Sequence, residues 1–369
     1  MKKYFIIAIA ALVASAACNK VETDNTPQKA ISFQVANYVP QTKANVAFEG
    51  TSFKTSAWFH ADASSAAQPF MASETIKFQS NNTWAADRIY FWPKTGWINF
   101  FSWAGAPEPT VTEGQAVYGT SSAPVTIAVD ADAMLASAAY RYSNANYDAN
   151  VYPDPILYNS VDTKGVPTLF HHMLAQVNFV VKFDAQDIPN TSGYKWDLII
   201  NSVSLNYGNQ GYLEVNFTDP SATGQAWPLT ANTVNWTRTA NTDLAGTLNL
   251  GDSNKQTTAA GSISAGKNLY ENTSVLPQVI GTTGSNAKLA LNYTLISYYN
   301  DVKHIEETID LTGASAIAIA DFTNNTITEW DMNYKYTYTV IIKPNKTVTF
   351  DPAVEAWEEN SASYTYPND

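Results

Sequence analysis

One stretch limits the fold more than any other. In LAQVNFVVKF (174–183), Ala175, Val177, Phe179, Val181 and Phe183 alternate with Gln176, Asn178 and Lys182. Successive side chains of a strand point to opposite faces, so this period of two makes one apolar and one polar side. Wound as a helix, the same residues would scatter around the whole cylinder. The pattern recurs along the chain. Ile31, Phe33 and Val35 alternate in ISFQVAN, and Val125, Ile127 and Val129 in PVTIAVD. Leu213, Val215 and Phe217 do so in GYLEVNFTD, and Leu289, Leu291, Tyr293 and Leu295 in KLALNYTLISYY. Ile305, Ile309 and Leu311 follow in HIEETIDLTG, then Tyr334, Tyr336, Tyr338, Val340 and Ile342 in NYKYTYTVIIKP.

Turn clusters such as TDPSATG, GTTGSN and KPNK separate these runs, as Gly, Pro, Asn and Asp favour. The best helical candidate, DADAMLASAAYRY (130–142), is short and Ala-rich. The expectation is an all-β chain of antiparallel sheets, each with one buried and one wet face. Many short strands at regular spacing suggest β-sandwiches. The 369 residues suffice for two of them. A polar segment with Gly165 and Pro167, NSVDTKGVPT (159–168), marks the expected boundary. The reading is a first sandwich over 31–165 and a second over 166–369.

The start of the chain has a different character. Lys2 and Lys3 precede an apolar or small-residue run from Phe5 to Ala17. This is the layout of an export signal, and the run is too short to span a bilayer. The single cysteine, Cys18, stands directly after Ser15, Ala16 and Ala17. SAAC resembles a bacterial lipobox, which implies cleavage between Ala17 and Cys18 and lipidation of the Cys18 thiol. Residues 1–17 are then the leader and 18–30 a polar tether. Two or more acyl chains hold a protein firmly on a membrane. With its one thiol used as an anchor, the mature chain has no disulfide, Cys-ligated metal or Cys nucleophile.

The net charge is −12, and loss of the leader removes two lysines more. An acidic surface disfavours nucleic acid as a partner. No G-x-S-x-G, H-E-x-x-H, P-loop or dinucleotide fingerprint occurs. The expectation is therefore no enzyme and no cofactor. Adjacent His171 and His172 would face opposite sides of a strand, and His60 and His304 are remote in sequence. Asp130 with Asp132, or Asp148 with Asp154, lack the glycine of a calcium loop. No metal site is expected.

The densest aromatic run is RIYFWPKTGWINFFSWAG (88–105). Pro93 and Gly96 read as turn residues of a hairpin with a four-residue loop. Tyr90, Phe91, Trp92, Trp97, Phe100, Phe101 and Trp103 then either fill a core or form a sugar-stacking platform.

Several stretches together resemble one family. These are the lipobox, ISFQV followed by QTKANVAFEGTSFKTSAWFHA, IYFWPKTGWINFFSWA, LFHHMLAQVNFVVKF and VTFDPAVEAW. Their order and spacing, from residue 1 to about 357, are similar to the fimbrillin (type V pilin) family of Bacteroidales surface lipoproteins, in its FimA/Mfa-like branch. The resemblance implies two transthyretin-like sandwiches, a surface-exposed outer-membrane location and a structural or tip role in an adhesive fimbrium. It implies that a surface protease removes an N-terminal strand and that a strand of another subunit fills the groove, head to tail. Placed on this chain, the exchangeable strand is ISFQVANYV (31–39), with Ile31, Phe33 and Val35 inward. The cut falls between Lys43 and Ala44, with Lys where many relatives have Arg. The donor is the tail SASYTYPND, with Ala362, Tyr364 and Tyr366 on one face. Partners implied are other pilin subunits, the outer membrane and a host or bacterial surface ligand. The alternative is a non-polymerising surface lipoprotein that binds glycans through the aromatics.

Overall fold

The computed structural model describes residues 30–35, 48, 50–62, 64–80, 83–93, 96–140, 165–168, 170–216, 236–244, 255–280, 287–319 and 327–356. Its strands are β1 (Phe33–Val35), β2 (Ser52–His60), β3 (Gln68–Ser80), β4 (Thr83–Ala86), β5 (Trp97–Ala104), β6 (Thr110–Thr112), β7 (Gln115–Tyr118) and β8 (Val125–Thr126). Then come β9 (Met134–Tyr140), β10 (Val166–Thr168), β11 (His171–His172), β12 (Ala175–Phe183), β13 (Tyr194–Asn216), β14 (Thr237–Leu244), β15 (Gln256–Ala259) and β16 (Lys267–Val275). The last are β17 (Gln278–Val279), β18 (Lys288–Tyr299), β19 (Val302–Leu311), β20 (Ile317–Ala318), β21 (Glu329–Trp330), β22 (Tyr334–Ile342) and β23 (Val348–Ala356). Among the described residues there is no α-helix. The fold is all-β, with mostly antiparallel sheets.

The first sheet has eight strands in the order β10-β1-β4-β3-β2-β5-β9-β11. Its two edge strands are close in sequence, since β10 ends at Thr168 and β11 starts at His171. Three residue steps reach at most about 11 Å. The sheet must therefore curl until its edges meet, and β10 does pack against β9. Inside the curl lies a core of Phe33, Phe53, Trp84, Phe100 and Phe170, with Met71 and Ile76. β10 and β11 lie beyond the boundary expected at residue 165, yet they pair within this first sheet.

A second core lies between two sheets. One has the order β16-β12-β22-β23, and the other runs β19-β18-β13-β7-β6. The period of two decides which side chains meet. Val177, Phe179, Val181 and Phe183 of β12 and Tyr336, Tyr338, Val340 and Ile342 of β22 face Leu198, Ile200, Leu205, Leu289, Leu291 and Tyr293. β12 and β22 are parallel neighbours in register from Gln176–Lys335 to Phe183–Ile342.

β13 ties the molecule together. Its 23 residues pair with β18 over most of their length, and Leu213–Asn216 then pair with β7 from the N-terminal half. The β6–β7 hairpin lies on the outer face of the first sheet. Glu108 meets Lys54 at 2.7 Å and Glu113 meets His60 at 3.3 Å. A third core forms there from Trp103, Tyr118, Leu135, Leu213, Val215, Trp236 and Leu276. The Trp236 Nε1–H donates to the Met173 carbonyl at 2.6 Å.

Four local expectations are corrected. The Ala-rich run is a strand, β9, not a helix. It adds to β5 in register from Ile98–Tyr140 to Ala104–Met134, and long-range pairing outweighs the helix preference of alanine. The aromatic run is not a hairpin, because β5 pairs with β2 and β9 on its two sides. In PVTIAVD only Val125–Thr126 is strand, with Ile127 buried and Val129 exposed. β19 alternates as expected, but Ile305 is exposed and Ile309 and Leu311 are half-buried. It is an edge strand.

Candidate functional site

The site is the seat of β1. The strand is short, but its inward side chains are not. Ile31, Phe33 and Val35 are all buried, and all three belong to the first core. The Phe33 ring meets Phe53 edge-on at 5.7 Å and Phe100 edge-on at 5.4 Å. Phe53 and Phe48 in turn pack on Trp84 at 5.7 and 5.6 Å, and Phe48 stacks on Phe170 at 4.9 Å. Removing β1 would leave an apolar slot lined by these rings.

The backbone of β1 is held on both sides. β10 runs parallel to it, pairing Phe33 with Val166, Gln34 with Pro167 and Val35 with Thr168. The Val166 amide donates to the Ser32 carbonyl at 2.7 Å. Gly165 makes this approach feasible. Its φ is +94°, and a Cβ there would lie 2.8 Å from the Ser32 oxygen. On the other side β4 contributes one pair, Phe33–Trp84. Before β1, Ala30 bridges to Phe91, and the Ile31 amide donates to the Tyr90 carbonyl at 2.7 Å.

The segment Asp87–Trp92 is thus a strap over the start of β1, and β3 anchors it. The Tyr90 hydroxyl donates to Glu74 Oε1 at 2.5 Å, and Lys77 Nζ meets Asp87 at 2.6 Å. Phe70 packs on the Tyr90 ring at 5.7 Å, and the Arg88 guanidinium lies 5.1 Å from it. Burial, with the hydrogen bond and charge of Glu74, raises the Tyr90 phenol above its ordinary range. Neither the strap nor β10 was expected from the sequence. The one signal was Gly165-x-Pro167, which reads as a linker but shapes a parallel neighbour.

The other expected positions divide into two groups. Ala17, Cys18, Lys43, Ala44, Ala362, Tyr364 and Tyr366 lie outside the described residues, as do Asp148 and Asp154. β23, which leads to the tail, is an edge strand carrying Asp351, Pro352 and Glu355.

Of the aromatic run, Tyr90, Trp92, Trp97, Phe100, Phe101 and Trp103 are buried, and Phe91 is exposed. They form core rather than an open platform. His60 stacks flat on Trp97 at 4.9 Å, and its Nε2 lies 3.0 Å from Asn99 Nδ2. Buried His172 meets Asp132 through Nδ1 at 2.5 Å. Among the described residues no three His, Asp or Glu side chains gather as a metal site.

No protein-family model and no curated protein matches the sequence. Several solved structures align with most of this chain at low identity. A fimbrial protein from Bacteroides vulgatus aligns over 89% of this chain and 99% of its own, at 16% identity and a TM-score of 0.47. A candidate cell adhesion protein from Bacteroides uniformis aligns over 89% and 98%, at 15% identity and 0.41. The fimbrial anchor protein Mfa2 from Porphyromonas gingivalis aligns over 90% and 98%, at 12% identity and 0.30.

Proposed function

We propose that this chain is a structural or tip subunit of a type V pilus, exported to the outer membrane as a lipoprotein with its lipid on Cys18, assembled by protease-triggered strand exchange and built from two transthyretin-like sandwiches. One observation carries the reading. Ile31, just before β1, and Phe33 and Val35 within it place three apolar side chains in the first core from a segment of five residues. Burying such side chains is worth about 1.5–3 kcal/mol each, or roughly 5–9 kcal/mol for the three. A domain's whole net stability is about 5–15 kcal/mol. A chain that lost this strand would keep its sheet only if another strand refilled the slot.

The occupant is the tail of a second copy, with Ala362, Tyr364 and Tyr366 in place of Ile31, Phe33 and Val35. Backbone pairing supplies affinity, and the slot selects side chains and register. Because the donor and the slot are different surfaces, the contact is head-to-tail and builds a fibre rather than a closed dimer. Cleavage at Lys43–Ala44 is the trigger, since it disconnects β1 from the core that follows.

Limited trypsin digestion of the mature protein tests this. The first cut should fall near Lys43, and sedimentation should then show oligomers in the nicked sample and monomers in the intact one. Removing residues 361–369 should leave the monomer folded and abolish the oligomers. Nicked full-length protein that stays monomeric at high concentration would overturn the reading in favour of a non-polymerising surface lipoprotein.

A further inference from the structure

Three neighbours hold β1. Just before it two residues have backbone partners in the strap, Ala30 with Phe91 and Ile31 with Tyr90. Phe33 is flanked by β4 on one side and β10 on the other. Gln34 and Val35 pair with β10.

The strap is fixed by side chains. Tyr90 donates to Glu74, Asp87 pairs with Lys77, and Trp92 sends its ring into the first core at 5.9 Å from Phe100. The Asp87–Lys77 pair is exposed, and such pairs contribute little. Tyr90 is different: its ring is buried and its acceptor, Glu74, is half-buried. Hydrogen bonds to charged acceptors are the stronger kind.

We propose that the strap Asp87–Trp92 is a latch on the start of β1 and that the Tyr90–Glu74 contact sets the residence time of the strand. This rests on the reading of β1 as an exchangeable strand and adds the controlling residue. Tyr90 is a positioning residue here, since its hydroxyl acts on β1 through the strap's carbonyl.

The test is hydrogen–deuterium exchange on the intact mature protein, before any cleavage, resolved to single amides over residues 30–35. Tyr90→Phe keeps the ring and removes the hydroxyl. It should speed exchange at Ile31 by about tenfold or more, the size expected for losing a hydrogen bond to a charged acceptor. Exchange in β5 should stay unchanged. Glu74→Gln keeps an acceptor oxygen without its charge, so exchange at Ile31 should fall between the wild type and Tyr90→Phe. No change at Ile31 in Tyr90→Phe, or an equal rise in β5, would each overturn the proposal. The assay sees the monomer, so it is independent of assembly. If Tyr90→Phe loosens β1 while nicked protein stays monomeric, the latch stands and the pilin reading falls.

Discussion

Phe33→Ala measures how much of the first core β1 carries. The ring is 1% exposed and lies edge-on to Phe53 and Phe100. Truncating a buried Phe costs about 3–5 kcal/mol, from lost transfer energy and the cavity left behind. Each edge-to-face contact contributes about 0.5–1.5 kcal/mol of that. Gln34→Ala is the internal control, since Gln34 is half-buried on the other face. Its cost should stay within about 0.5 kcal/mol. Guanidinium unfolding of the uncleaved protein, followed by tryptophan fluorescence, reads the difference, because Trp84 and Trp92 sit in the same core. The transition midpoint should fall in Phe33→Ala at unchanged slope, which marks a change in stability rather than in the surface exposed. If Phe33→Ala and Gln34→Ala cost the same, below about 1 kcal/mol, β1 does not hold this core together. Its removal would then open no slot worth refilling.

Three further outcomes are expected. Cys18→Ala should move the protein from the membrane fraction to the soluble or unprocessed pool, as fractionation would read. Trp97→Ala or Phe101→Ala should cost about 3–5 kcal/mol, as for any buried ring. A sugar platform would instead lose retention on a polysaccharide gel with little change in melting temperature. Asp197 is buried; desolvation opposes its charge, but Lys255, Thr257 and Tyr298 together hold its carboxyl below the ordinary range. A depressed pKa stabilises the fold above the unfolded value, and that stability is lost as pH falls through the folded one. Asp197→Asn should therefore be less stable by about 1–3 kcal/mol at pH 7. The gap should narrow below about pH 4, where free carboxylates protonate. Thermal melts at both pH values check this.

The alternation in β12, β18 and β22 was legible because one face of each strand is covered and the other is wet. In β19 the same alternation misled about burial. A period of two says that the faces differ, not that a second sheet lies over one of them. β13 hid its length. The stretch Tyr207–Gly208–Asn209–Gln210 looks like a turn, yet the strand continues through it with shifts of register. β9 hid its type, since alanines favour helix in isolation, yet the segment pairs with β5 along its length. At the site, the inward face of β1 was plain from Ile31, Phe33 and Val35. Its neighbours were not. β10 and the strap come from residues remote in sequence, and local pattern has no term for such pairing.

The central claim is that β1 can be replaced in its slot, and a competition measures this directly. Nicked protein, freed of its strand, is mixed with a synthetic ISFQVANYV peptide, and assembly is followed by sedimentation. The peptide should cap the slot and hold the protein monomeric at about one equivalent, whereas a scrambled peptide should leave assembly intact. Assembly that proceeds unchanged in excess ISFQVANYV would contradict strand exchange at this site.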